Sequence, residues 1–480
     1  VEILRRYVGN TRLLRVLLIV AMLAVSLPHY ARLIEVSSSG ATIPWKGIAG
    51  IPVSIDFVNI YCQGILGRDA RRDHINIYDN EIQVKTFSVA IAPEPNPNLG
   101  KTPFYMYMPP PYWVIPIPLT VLSIGQAWVF SWILGLALSL ASLWYLLRTI
   151  NAGRDEITFV MVGLLAAYPT LWSCWTGQPT LWVLANLVLI WALLIDRRYL
   201  LAGLATAVFT LKIQYTIPVI VAGLCLGRLR YLYGCAAGMT CALVICIYQL
   251  GLDNVLRFPG AISREPTGTI SGVQVWFMQT LRGQLYLLRG RAPEDMVSTI
   301  VTVGGFILAN CFIGYLWWHA RRDDREQLRL IASLTTLLML VVSLHTHFYD
   351  YVLIAIPAVW LWGMLRTQQS TSLSYVLACL LALFPLFSWI MQWRIAFQSP
   401  PSPVIGQLIT WLSPILYSIG IDPLQLLRNK QILTQCLSPA LAILSASQLY
   451  FLWAVLVISI VLKLGWERIK CSESADASCV

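Results

Sequence analysis

At 480 residues, 57% hydrophobic and only 12% charged, with a mean hydropathy of +0.67, the chain is far more apolar than a soluble protein, which carries about 25% charged residues. Its net charge of +11 would raise nucleic acid as a partner in a soluble domain, but the basic residues sit in short connections between apolar runs, where membrane topology accounts for them. The eleven cysteines are scattered without a Cys-x-x-Cys pair, which argues against a zinc site or a disulfide framework.

Apolar runs of roughly 17 to 22 residues, the length that crosses a bilayer as a helix, recur along the chain. The first, Leu13 to Leu27, is flanked by Arg5, Arg6, Arg12 and Arg15, so it is expected to be a signal anchor with a cytoplasmic N-terminus. Residues 28–111 then form a large extracytoplasmic loop with equal numbers of acidic and basic residues and two proline clusters, Pro93/Pro95/Pro97 and Pro109-Pro110-Pro111. Tyr112 to Ile124, broken by Pro116 and Pro118, reads as a re-entrant or interfacial piece.

From there apolar runs alternate with basic connections. Gln126 to Leu147, Ile157 to Trp172 and Thr180 to Ile195 are followed by a tight pair, Tyr199 to Leu211 and Gln214 to Leu226, interrupted by Lys212. Tyr231 to Leu250 leads to a second outer loop, 251–296, and Val297 to Trp318 returns from it. Leu328 to Leu344, Tyr349 to Leu365 and Ser372 to Ile390 precede a third outer loop, 391–446, and Leu449 to Leu464 ends inside. The expectation is an all-α polytopic membrane protein of about 12 transmembrane helices with large extracytoplasmic loops. It forms one integral membrane domain over 1–470, with a disordered cytoplasmic tail over 471–480.

The inner connections are too short to hold a nucleotide-binding domain, and neither a Walker loop nor a strand-borne glycine fingerprint occurs. The polar mass lies on the outer side, away from nucleotide sugars, so an enzyme there needs a lipid-carried donor such as a polyprenyl-phosphate sugar. Gln178, Lys212, His345, His347 and Asp350 fall at predicted outer helix ends, and ionisable groups at membrane depth point to function.

Several residue patterns carry a family resemblance. They are Asp56-Phe57 followed by Gly67 and Ile77-Tyr78-Asp79; Tyr107-Met108-Pro109-Pro110; Gly177-Gln178; Leu201-Ala202-Gly203-Leu204 leading to Leu211-Lys212; and Ser343-x-x-Thr346-His347-x-Tyr349. In order and spacing, over roughly Val16 to Leu365, the chain resembles the C-type membrane glycosyltransferases, in particular the polyprenol-phosphate-mannose-dependent α-1,2-mannosyltransferases. It departs from them at Lys212-Ile213, where Lys-Pro is frequent, and at Thr180, where Asn is frequent.

The resemblance implies an inverting glycosyltransferase of a bacterial plasma membrane. It would move a sugar, mannose in that family, from a polyprenyl-phosphate donor to a glycolipid or envelope-glycan acceptor on the extracytoplasmic face, with no cofactor and no metal. Asp56 would be the general base; as a plain residue it could equally cap the helix that begins there. Lys212 would face the donor phosphate, or else snorkel to the headgroups. His347 would contact phosphate or move a proton, or serve a structural hydrogen bond. Gln178 would bind sugar hydroxyls or cross-link helices. Tyr107 would stack on a sugar, and Asp79 would line the cleft. A transporter or flippase of a lipid-linked sugar is the alternative, though no inverted repeat is visible.

Overall fold

A computed structural model describes residues 11–38, 55–91, 108–208, 212–262, 280–283, 285, 296–343, 346–367, 372–398, 451 and 453–463, and these are mostly helical, with no strand among them. The elements in order are α1 (Thr11–Ser38), α2 (Ile55–Asp73), α3 (Asn80–Ile91), α4 (Pro111–Val114), a 3-10 turn (Ile117–Val121), α5 (Ile124–Thr149), α6 (Arg154–Ala166), α7 (Tyr168–Thr176), α8 (Thr180–Ile195) and α9 (Tyr199–Val208). They continue with α10 (Ile213–Leu250), α11 (Leu252–Ile262), α12 (Met296–Trp318), α13 (Arg325–Val342), a second 3-10 segment (Phe348–Ile354), α14 (Ala355–Thr367), α15 (Ser372–Gln398) and α16 (Trp453–Lys463).

Among the described residues four stretches are long and apolar enough to cross a membrane: Arg15–Glu35, Ile124–Thr149, Leu229–Leu250 and Thr299–Trp318. The bent pair α6–α7 would make a fifth. The described residues do not show the expected count of about twelve, because several apolar runs among them are broken into short helices. The ten residues of α9 rise only about 15 Å against a hydrocarbon core of about 30 Å. The run read as one span from Ile157 to Trp172 is two helices meeting at 50°. Ala167 adopts extended backbone there and Pro169 opens the second helix, as proline does in a first turn.

The outer loops hold more regular structure than their polarity suggests. Helix α1 runs through Pro28 to Ser38, and residues 28–111 also contain α2 and α3. The second loop opens with the amphipathic helix α11, and α15 extends past Met391 to Gln398. The rest of the third loop and the 471–480 tail lie outside the described residues.

Helical backbone runs through all 38 residues of α10, yet the Tyr231 hydroxyl donates to the carbonyl of Val219 at 3.3 Å. A straight helix would separate those residues by about 18 Å. The chain therefore folds back near Gly227–Arg230, where the basic pair Arg228/Arg230 marks a turn in the sequence. The returning half packs on α9 through Gly234 and Gly238. A Cβ on Gly234 would lie 2.1 Å from the Leu200 carbonyl oxygen, and one on Gly238 would lie 2.6 Å from Cβ of Ala207. Small residues four apart let two apolar helices approach this closely.

Several tryptophans belong to the core and not to a belt at the headgroup level. Trp113, Trp128, Trp191 and Trp317 are fully buried. Trp191 and Trp317 stack at 5.5 Å, and their indole N–H groups donate to Thr336 and Thr335 of α13 at 3.1 and 2.9 Å. Those threonines satisfy buried donors that an all-aliphatic α13 would strand.

Candidate active site

Four chain-distant pieces meet at one end of the bundle: the start of α2, the α7–α8 turn, the start of α10 and the segment after α13. Asp56 lies in the first turn of α2, half-buried. Its carboxylate accepts hydrogen bonds from the side chains of Gln178 and Thr176 and lies in the field of Lys212. A first-turn acid is also favoured by the helix dipole, so the capping and chemical readings of Asp56 coexist.

The α7–α8 turn is what brings Gln178 there. Gly177 ends α7 in the left-handed region at φ +75°, and the N–H groups of Gly177 and Gln178 both donate to the Ser173 carbonyl at 3.0 Å. Left-handed backbone favours glycine. A Cβ at position 177 would also come within 2.4 Å of Cβ of Phe57, the residue beside Asp56. The turn thus sits directly on the start of α2.

Lys212 precedes α10, and its ammonium lies 2.9 Å from Oδ1 of Asp350. Asp350 is fully buried. The same oxygen accepts from the hydroxyl of Thr180 at 3.1 Å, and Oδ2 accepts the backbone N–H of His347, also at 3.1 Å. Buried carboxylates need such saturation. Lys212 also lies 5.0 Å from the centre of the Tyr349 ring, on whose other neighbour, His347, the ring stacks at 5.1 Å. Tyr215 completes the wall by donating to Thr346 at 3.0 Å.

Electrostatics set the protonation states. Burial raises the Asp56 carboxyl above its ordinary 3.8, while Gln178, Lys212 and Thr176 pull it back. Burial pushes the His347 imidazole down to about 3, helped by the Lys212 charge. His347 is therefore neutral near pH 7, a hydrogen-bonding group and not a cation.

Asp56, Gln178, Lys212 and His347 are thus brought together. Asp350, noticed in the sequence only as one polar residue among several, is the hub that holds Lys212 and the His347 segment; its His-x-x-Asp spacing ahead of an apolar helix was the available signal. Asp79 is not brought there. It follows α2, whose axis carries the chain roughly 25 Å from Asp56. Its Oδ1 caps α3 by accepting the N–H groups of Glu81 and Ile82, and it lines a separate cleft of about 470 Å³ with Asn76, Tyr78, Glu81 and Arg257. Tyr107 and His345 lie outside the described residues. Among the described residues no group of three or more His, Cys, Asp or Glu could hold a metal ion.

The model of glycosyltransferase family 87 matches residues 105–343. The chain belongs to glycosyltransferase family 87. It is a membrane glycosyltransferase, and the matched region contains Gln178, Thr180 and Lys212, stopping just short of His347 and Asp350. No curated protein and no solved structure matches it. A glycosyltransferase needs a donor and an acceptor, and the half-buried Asp56 carboxylate is the one acid of this constellation that Lys212 does not already neutralise by direct contact.

Proposed function

We propose that this glycosyltransferase is inverting and uses a polyprenyl-phosphate sugar, mannose by family resemblance, on the extracytoplasmic face of a bacterial plasma membrane. The acceptor is a glycolipid or envelope glycan. The observation that carries the reading is the meeting of the Asp56 carboxylate with Gln178 and Lys212 at one end of an apolar bundle.

In this scheme Asp56 takes the proton of the acceptor hydroxyl as its oxygen bonds to the anomeric carbon, a role worth about 10²–10⁴ in rate. The bond from that carbon to the phosphate oxygen breaks, and its electron pair leaves with polyprenyl phosphate. Gln178 orients the carboxylate and stays within reach of sugar hydroxyls. Lys212 has three N–H donors and gives one to Asp350, so it offers the leaving phosphate its remaining donors and its field. Since Asp350 offsets its charge, an arginine of the second outer loop is needed to complete the neutralisation.

Purified protein assayed with a panel of polyprenyl-phosphate sugars, and with nucleotide sugars as controls, tests this. Transfer from a lipid-linked sugar with anomeric inversion, lost in Asp56→Asn, is the expected result. Undiminished transfer by the variant sinks the base assignment, and transfer from a nucleotide sugar alone sinks the donor class.

A further inference from the structure

We propose that the cleft between the α2–α3 connection and α11 is a glycan subsite, taking uncharged sugars of the acceptor beyond the one that reacts. This rests on the reading that the acceptor carries a glycan, and adds that the glycan is an oligosaccharide. The cleft holds about 470 Å³ and is lined by Asn76, Tyr78, Asp79, Glu81, Arg257 and Gly260 among others. That volume falls within the roughly 300–1,000 Å³ of small-molecule sites. Asp56 and the cleft lie at the two ends of α2, roughly 25 Å apart along its axis. An extended glycan lying along that helix reaches both.

The walls of the cleft are fixed to each other. The connection between α2 and α3 is irregular, yet two buried amides pin its backbone. Asn254 of α11 accepts the N–H of Ile77 at 3.2 Å and donates to the carbonyl of Ile75 at 2.9 Å. Gln83 of α3 donates to the carbonyl of Ile77 at 2.8 Å. Tyr78 packs edge-on against Trp113 at 5.5 Å and tilted against Phe258 of α11 at 6.3 Å, and its hydroxyl donates to the Met108 carbonyl at 3.2 Å. Walls held this way need little ordering when a ligand enters.

The lining offers donors and acceptors together. Glu81 and Arg257 are exposed, and among the described residues neither side chain makes a hydrogen bond or an ion pair. Asp79 commits Oδ1 to the N–H groups of Glu81 and Ile82, and Asn76 commits Oδ1 to the N–H of Tyr78. The second carboxylate oxygen of Asp79 and the amide NH2 of Asn76 stay outside those bonds. Two carboxylates against one guanidinium disfavour a phosphate or another anion, and the guanidinium disfavours a cation. A sugar hydroxyl donates and accepts at once, so a neutral polyol satisfies both sets.

The test uses the full chain in neutral detergent, offered neutral manno- and gluco-oligosaccharides, with inorganic phosphate as the anionic control. Saturation-transfer NMR and the shift in Tm read binding. An oligosaccharide is expected to bind, with E81Q and R257Q each weakening it about tenfold. A Cβ at Gly260 would meet nothing within 4 Å, so the side chain of G260L enters open space and should block the cleft without disturbing the fold. D56N should bind as wild type does, so failure of the base or donor assignment leaves these results untouched. With an oligosaccharide acceptor, the cleft variants should raise KM and leave kcat near wild type. No oligosaccharide binding by the wild type, or inorganic phosphate bound in preference, overturns the proposal. Binding kept in G260L and R257Q but lost in D56N places the sugar at the reaction site and also overturns it.

Discussion

The ammonium of Lys212 sits 2.9 Å from Oδ1 of Asp350, a residue 138 positions further along the chain, with the two side chains 9% and 0% exposed. Removing one member strands the other, which in buried pairs costs about 3–5 kcal/mol, whereas replacing both with apolar residues of similar size is often neutral. Asp350→Ala should therefore lower Tm markedly, and the double variant Lys212→Met/Asp350→Leu should recover most of that loss. Transfer should stay impaired in both: in Asp350→Ala because Lys212 and the His347 segment lose the carboxylate that holds them, and in the double variant because the field that Lys212 supplies at Asp56 is gone. Unfolding followed by tryptophan fluorescence, together with a transfer assay, separates the two effects. A double variant as active as wild type would show that the pair is scaffold alone.

Asp56 titrates above its ordinary 3.8 because burial outweighs Gln178, Lys212 and Thr176. Helix α2 is not among the stretches both long and apolar enough to cross a membrane. Activity that needs the carboxylate should fall on the acid side, with a midpoint above 3.8. Gln178→Leu removes a bond that favours the ionised form, so the limb should move to higher pH. The stability sign is opposite to that of a salt-bridged acid. The folded protein holds this proton more tightly than the unfolded chain, so the stabilisation is full below 3.8 and is lost as pH rises through the folded value. Asp56→Asn should thus be at least as stable as wild type at neutral pH, a gain that shrinks on acidification. A melting series over pH for both proteins checks it.

His347, held near 3 by burial and by Lys212, should contribute no inflection between pH 5 and 8. His347→Gln should lower the rate through lost hydrogen bonding while leaving the position of the acid limb unchanged. A wild-type inflection near 6.5 that vanishes in the variant would show that the imidazole titrates in the working range.

Helicity, membrane character and the broken Tyr112–Ile124 segment were legible in the sequence because apolar length and proline placement are local signals. Asp56, Gln178, Lys212 and His347 were legible because polar residues among apolar ones stand out. The ion pair was not. Lys212 reads as a lone cation until Asp350 arrives across the fold, and nothing local announces that contact. Among the described residues fewer stretches of spanning length and hydropathy stand than the about twelve expected, for a related reason. Hydropathy does not register the bend at Ala167 or the fold-back near Gly227–Arg230, which depend on Pro169 and on tertiary packing of Tyr231.

Gly177 gives the sharpest single-residue test of how the site is assembled. Its φ of +75° costs a side-chain-bearing residue about 1–2 kcal/mol, and an added Cβ would meet Cβ of Phe57 at 2.4 Å, an atom close to backbone that cannot swing away. Gly177→Ala should push the α7–α8 turn off the start of α2 and lengthen the contact between Gln178 and Asp56. The expected signature is a lowered kcat together with an acid limb moved to higher pH, as in Gln178→Leu, and a modest fall in Tm. Phe57→Gly in the same background removes the Cβ that the new methyl group meets and should restore part of kcat. Loss of stability with an unshifted pH profile would mean that the turn supports the fold without positioning Gln178 against Asp56.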